Sequence, residues 1–184
     1  IIQQMQNVIH YKNNPDGVES PDYIFANYYL CRKLTSTERI QYLTDIAAQF
    51  PLKLFTPNSA FVIPQAQNMG LADYDTETPY IFHNSKINLN ITLRSIKSGI
   101  PLRCLEIMAC GGFLLTNFQS DFLRHFIPDE DFVFYESKED LLQKIDYYLT
   151  HDAERTAIAR SGYEKILRHH NYDIIFEKIF DIIA

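Results

Sequence analysis

The chain has 184 residues, 46% of them hydrophobic and 22% charged, with a net charge of −6. That is enough apolar material for one substantial core and too little length for a second full domain, and the composition is not that of a disordered chain. The acidic balance lacks the cationic excess that phosphate-backbone binding requires, which argues against nucleic acid, and no run of about 18 apolar residues offers membrane insertion.

The chain opens on Ile1-Ile2 and closes on Ile182-Ile183-Ala184 inside an apolar helical pattern, so it reads as a piece of a longer protein. Residues 13–22, NNPDGVESPD, are dense in turn formers and predict a linker-like loop. After Thr35-Ser36 as caps, Ile40, Leu43, Ala47 and Phe50 fall at helical spacing, and Pro51 ends the helix. LKLFT (Leu52–Thr56) and AFVI (Ala60–Ile63) predict strands, followed by an acid-rich polar loop, LADYDTETP. KINLNI (Lys86–Ile91) is the next strand. Pro101 suits the first helical position after Gly99, and Gly111-Gly112 supplies the stop, so a helix is expected over Pro101–Cys110. FLLT (Phe113–Thr116) and FVFY (Phe132–Tyr135) are further strands. Ser137 with Asp140 resembles a capping box for a helix ending near Leu149. Asp152 is expected to cap another, with a stripe of Ile158, Ala159, Gly162, Tyr163, Ile166 and Leu167, and a last helix begins near Tyr172. Strands alternating with helices across short loops predict an α/β fold with a mostly parallel sheet covered on both faces. Such sheets bind ligands at the carboxyl ends of their strands.

Polar residues interrupt the oiliest segment. Asn88, Asn90 and Thr92 share one face of a strand that burial on both faces would fill with Val, Ile and Leu. They either tie down neighbouring backbone or line a cleft, and Thr92, nearest the ligand-facing end, is the stronger cleft candidate. Ser98-Gly99-Ile100 leads into the helix at Pro101 and offers free amides and a positive dipole end to an anion such as a diphosphate. Arg94 either supplies a guanidinium to the same anion or caps carbonyls. Glu106 borders an apolar stripe of Leu102, Leu105 and Ala109. Its partner is either Arg103 in a surface pair or a pair of ribose hydroxyls, as acidic residues take in dinucleotide sites. The histidines His83, His125, His169 and His170 form no convincing metal set. Three cysteines in unrelated contexts, Cys31, Cys104 and Cys110, predict reduced thiols and a cytoplasmic protein.

INLNITLRSIKSGIPLRCLEIMACGGFLLTN (Ile87–Asn117) resembles the donor-binding core of CgeB-like, spore-maturation-protein-like glycosyltransferases, within the GT-B group. Glu38-Arg39, LKLFT, FVFYES, DLLQKIDYYL and ERTAIARSGYEKI resemble that family in the same order, from about Ala26 to Tyr172. The resemblance implies a Rossmann-like, doubly wound sheet with helices on both faces, the second half of a GT-B fold. It implies a linker or inter-domain segment over residues 1–25 and a nucleotide-sugar-binding domain over residues 26–184. Its expected partners are a nucleoside diphosphate sugar as donor, an unknown sugar acceptor and an amino-terminal Rossmann-like domain that supplies the acceptor site. The donor is a substrate, so no cofactor and no metal is expected. Asn90, Thr92, Arg94, Ser98, Gly99, Ile100, Arg103 and Glu106 become the expected donor-binding residues. Many related sugar transferases carry a second glutamate eight positions before the one matching Glu106, and here that position is Ser98. Two other readings stand beside this one: a non-catalytic ligand-binding or assembly module on the same fold, and a nucleotide-sugar epimerase-like enzyme.

Overall fold

The computed structural model describes residues 2–9 and 17–183. Residues 13–16 of the expected linker therefore lie outside the described residues. Helix α1 spans Ile2–Gln6 and α2 spans Pro21–Ile24. Ser20 caps α2 by accepting from the Tyr23 amide at 3.2 Å, and Pro21 sits where a missing N–H costs nothing. The helical run continues through a π segment, Phe25–Leu30, into α3, Cys31–Ala47. Thr35 therefore caps nothing. It lies inside the helix with its hydroxyl on the Cys31 carbonyl at 2.8 Å, and it is buried while Ile40 is exposed. The face of α3 that packs is set by Ile46 and Ala47.

Two parallel sheets follow. Strands β1 (Lys53–Leu54) and β2 (Gln67–Asn68) pair with each other, and β3 (Asn88–Asn90), β4 (Leu114–Asn117) and β5 (Val133–Tyr135) form a second sheet in that order. The AFVI segment forms no strand; β1 finds its partner at Gln67–Asn68. The acid-rich loop leads into an unexpected helix, α4 (Thr78–Asn84), with Pro79 in its first turn. Helices α5 (Leu102–Ala109), α6 (Lys138–Thr150), α7 (Asp152–His169) and α8 (Tyr172–Ile183) complete the described order. Pro101 caps α5 with extended ψ instead of starting it. The Ser137–Asp140 capping box forms: Ser137 accepts from the Asp140 amide at 3.1 Å, and Asp140 accepts from the Glu136 amide at 3.0 Å. Asp152 is the first residue of α7, not its cap, and its carboxylate pairs with Arg155 at 2.6 Å.

Strands β4 and β5 alternate between two cores, as a pleated strand buried on both faces must. Leu115, Val133 and Tyr135 join Ile46, Leu141, Ile145, Tyr148 and Ile158 on one face. Leu114 and Phe132 join Cys104, Ile107, Met108, Phe122, Phe126 and Ile166 on the other. The buried face of α5 is thus Cys104, Ile107 and Met108, while Leu102 and Ala109 are exposed. The expected stripe is rotated because α5 is oriented by β4 beneath it and α7 beside it. Two glycines permit this packing. A Cβ on Gly112 would lie 2.6 Å from the Phe82 carbonyl and 2.7 Å from Asn88 Nδ2, and one on Gly162 would collide with the Asp131 carbonyl.

Candidate functional site

The sheet β3-β4-β5 is parallel, so the connections leaving β3 and β4 emerge on the same carboxyl edge. The β3 connection runs from Ile91 to Pro101 and opens α5; the β4 connection carries a short 3₁₀ turn, Ser120–Arg124. All eight expected donor-binding residues lie on β3, on this first connection or on α5.

Asn90 and Thr92 are buried and satisfied within the protein. Asn90 Nδ2 donates to Thr92 Oγ1 and to Thr116 Oγ1, both at 3.0 Å, and the Thr92 amide donates to Asn117 Oδ1 at 2.7 Å. Asn88 donates to the carbonyls of Phe82 at 2.9 Å and Phe113 at 3.3 Å, so it ties α4 and β4 to its own strand. These polar groups sit opposite Leu114 and Thr116 in register, on the face that α5 covers, and the network fixes the carboxyl ends of β3 and β4 against each other. Beneath it, burial pushes the Cys104 thiol up to about 12, which keeps it protonated.

Arg94 turns toward α3. Its guanidinium forms a two-pronged pair with Glu38, with Nε 2.6 Å from Oε2, and its amide donates to Thr35 Oγ1 at 3.0 Å. The hydrogen bond from Arg94 holds the Glu38 carboxyl below its ordinary value. Arg39, one position on, donates to the Ile91 carbonyl. Helix α3 therefore grips the start of the loop at three points.

Ser98 and Gly99 are exposed and Ile100 is half-buried. Gly99 has φ +87°, a conformation that side chains with a Cβ rarely adopt, and this turns its amide toward the β4 connection. There it donates to Asp121 Oδ2. A carboxylate of the protein itself thus rests on the amide expected to meet a phosphate, with Arg124 3.6 Å from its other oxygen.

Glu106 has two neighbours. Arg103 Nη1 lies 3.4 Å from Oε2, and the hydroxyl of Tyr74, on the loop ahead of α4, donates to Oε1 at 2.5 Å. Oε2 is buried and accepts no hydrogen bond among the described residues. The Arg103 guanidinium lies over the ring of Phe82 on α4, 5.4 Å from its centroid, which holds the cation beside that helix. The hydrogen bond to Glu106 raises the Tyr74 phenol above its ordinary range, so the phenol is the donor. The expected Arg103 pair is present, and a tyrosine that sequence spacing does not single out is the closer partner. Glu38, Tyr74 and Asp121 are the polar residues that complete the site. The signals for two of them were legible only in outline, as Glu38-Arg39 within the family resemblance and as an aromatic residue set in an acid-rich turn.

Residues 44–181 match the family described as Glycosyl transferase-like. Among solved structures, the C-terminal domain of a glycosyl transferase group 1 family protein (LpcC) from Francisella tularensis is similar with a TM-score of 0.57 and 20% identity, over 77% of this chain and 82% of that one. A glycosyltransferase from Rickettsia africae ESF-5 gives a TM-score of 0.60 and 12% identity, over 98% of this chain and 50% of that one. The present chain thus spans about half the length of the Rickettsia protein. At these identities the likeness is one of fold. No curated protein matches the sequence.

Proposed function

Because the chain belongs to the glycosyl transferase-like family, we propose that it is the donor-binding half of a GT-B glycosyltransferase of the CgeB-like type, holding a nucleoside diphosphate sugar at the carboxyl edge of β3 and β4. The observation that carries this reading is the carboxylate of Glu106 on α5, with the Tyr74 hydroxyl on one oxygen and Arg103 3.4 Å from the other, one turn inside a helix that the Ser98-Gly99-Ile100 loop enters. A carboxylate fixed in this way accepts hydrogen bonds from a ribose, and the loop Ser98-Gly99-Ile100 with Arg103 faces the diphosphate. As the bond to the sugar breaks, negative charge grows on the diphosphate, and the loop amides, once Asp121 has left Gly99, stabilise that charge together with the Arg103 guanidinium. Asn90 and Thr92 support the edge from within, and Arg94 anchors the loop through Glu38, which it must leave to reach a phosphate. The acceptor site and any general base come from an amino-terminal Rossmann-like domain. Divalent metal has no assigned part in this scheme.

The test is titration of the 184-residue chain with uridine, guanosine, adenosine and thymidine diphosphates, followed by calorimetry and nuclear magnetic resonance. Weak binding, near millimolar, is expected for at least one of them. Glu106→Gln keeps the volume but loses charged acceptors and should cost about 1.5–3 kcal/mol of affinity, roughly a factor of ten or more. The wild-type chain should discriminate against the 2′-deoxy form, and the variant should barely do so. Absence of any perturbation at millimolar nucleotide removes the donor reading, and unchanged binding in Glu106→Gln removes Glu106 from the site.

A further inference from the structure

Glu106 is the residue on which the donor reading depends, yet in the structure its carboxylate is closed to a ligand. Oε1 is taken by the Tyr74 hydroxyl and Oε2 is buried beside Arg103. A ribose hydroxyl offers the same chemistry as the phenol, one O–H donor on a short carbon frame, directed at the same oxygen. We propose that Tyr74 is a displaceable latch whose hydroxyl holds the place of a ribose hydroxyl on Glu106 and must swing away before a nucleotide binds. This inference rests on the reading of Glu106 given above and adds a residue that sets donor affinity.

The loop is built so that the ring can move while the backbone stays. Asp73 Oδ1 accepts from the amides of Asp75 at 3.1 Å and Thr76 at 2.8 Å and from the Thr76 hydroxyl at 2.6 Å. The Asp73 carbonyl accepts from the Glu77 and Thr78 amides, and Glu77 Oε2 accepts from the Asp73 amide at 2.7 Å. These bonds pin the backbone on both sides of Tyr74, and hydrogen bonding to Thr76 holds the Asp73 carboxyl below its ordinary value. Tyr74 itself is 56% exposed, so rotation about its side-chain bonds carries the ring into solvent without opening a core. The same motion leaves Oε1 with a vacant acceptor site next to Tyr74 and Arg103, both of which line the cleft between the two sheets. A ligand therefore exchanges one hydrogen bond for another, and part of its affinity is lost to the latch.

Removing the hydroxyl alone tests the proposal. Tyr74→Phe keeps the ring and the turn, and its melting temperature should stay within a degree or two of wild type. Its affinity for uridine, guanosine or adenosine diphosphate, whichever the wild type binds, should rise about three- to tenfold, the worth of one competing hydrogen bond. In a Glu106→Ala background the same substitution should change nothing, because the bond it breaks is already gone. Equal or weaker nucleotide binding by Tyr74→Phe, with wild-type binding present, overturns the latch while leaving the donor site standing. No binding by wild type, Tyr74→Phe or Glu106→Ala overturns both.

Discussion

The two sheets are built to different standards. In β3-β4-β5, the central strand β4 is buried on both faces, its residues feed two apolar clusters, and its polar side chains Thr116 and Asn117 accept from Asn90 and from the Thr92 amide. In β1-β2, each strand is two residues long, Gln67 and Asn68 are exposed, and Leu54 is only half-buried. Between the sheets lies an open cleft of about 1000 Å³, bounded by Leu52 and Leu54 on one side and by Ile87, Leu89 and Ile107 on the other. The difference teaches where precision is needed. The carboxyl edge that presents Gly99, Arg103 and Glu106 stands on the close-packed sheet, while Tyr74 reaches it from a surface loop beyond the looser one. The carboxylate thus belongs to the firm half and the tyrosine proposed to be displaced from it to the looser one.

The largest expected effect comes from opposing cavities. Leu115→Ala, at a position with no exposure, should destabilise the chain by about 2–5 kcal/mol, because a well-packed core does not collapse around the void. Leu54→Ala, beside a cleft that already exists, should cost less than about 1 kcal/mol, since little packing is lost there. Urea unfolding of the two variants measures the gap directly. Equal losses would mean that β1 is as tightly packed as β4.

Next in size is Asp131, which closes the tight half at its α7 side. Its carboxylate accepts from the Ile127 amide at 2.7 Å, the Ser161 hydroxyl at 2.7 Å and the Lys165 ammonium at 2.5 Å. Burial alone would raise its pKa, but Lys165 and the two hydrogen bonds outweigh burial and lower it. A carboxyl with a lowered folded pKa stabilises the protein above the unfolded value, about 4. That contribution is lost as pH falls through the lower folded value. Asp131→Asn should therefore cost about 1–3 kcal/mol at neutral pH, with the difference from wild type shrinking below pH 4. Stability curves taken at several pH values check this, and a difference that does not narrow in acid would remove the ionised carboxylate as the cause.

The smallest effect concerns an unsatisfied hydroxyl in the tight half. The Tyr135 hydroxyl is buried without a hydrogen-bond partner among the described residues, and burial raises its pKa well above the ordinary phenol range. Tyr135→Phe removes an unsatisfied donor while leaving the ring against Tyr42, so stability should hold or rise by up to about 1 kcal/mol. A loss greater than that in thermal or urea unfolding would reveal a partner for the hydroxyl.

Most of the architecture was legible where a local pattern encodes it. KINLNI, FLLT and FVFY are strands, the Ser137–Asp140 box opens α6, and helix α8 begins at Tyr172. Errors gathered where periodicity is weak or competes with tertiary contacts. AFVI has strand composition but no strand beside it, and α4 hides in a run of acids because its turn is nucleated by Asp73 side-chain bonds instead of apolar spacing. In α5, the pattern Leu102, Leu105 and Ala109 suggested one face, and β4 with α7 selected another. None of the described helices is long and apolar enough to cross a membrane.

For the site, the sequence by itself determined which groups are available: a glycine able to take positive φ, a carboxylate and a cation one turn apart on a helix, and polar residues at alternate positions of a strand. These are local properties of the chain, set by sterics and by spacings of two to four residues. Only the tertiary structure decided what each group touches. Arg94 meets Glu38 across 56 positions of sequence, Tyr74 meets Glu106 across 32, and Gly99 meets Asp121 across 22. Such pairings depend on which strands lie side by side and how far each helix is rotated over them, and those are fixed by packing of the whole core.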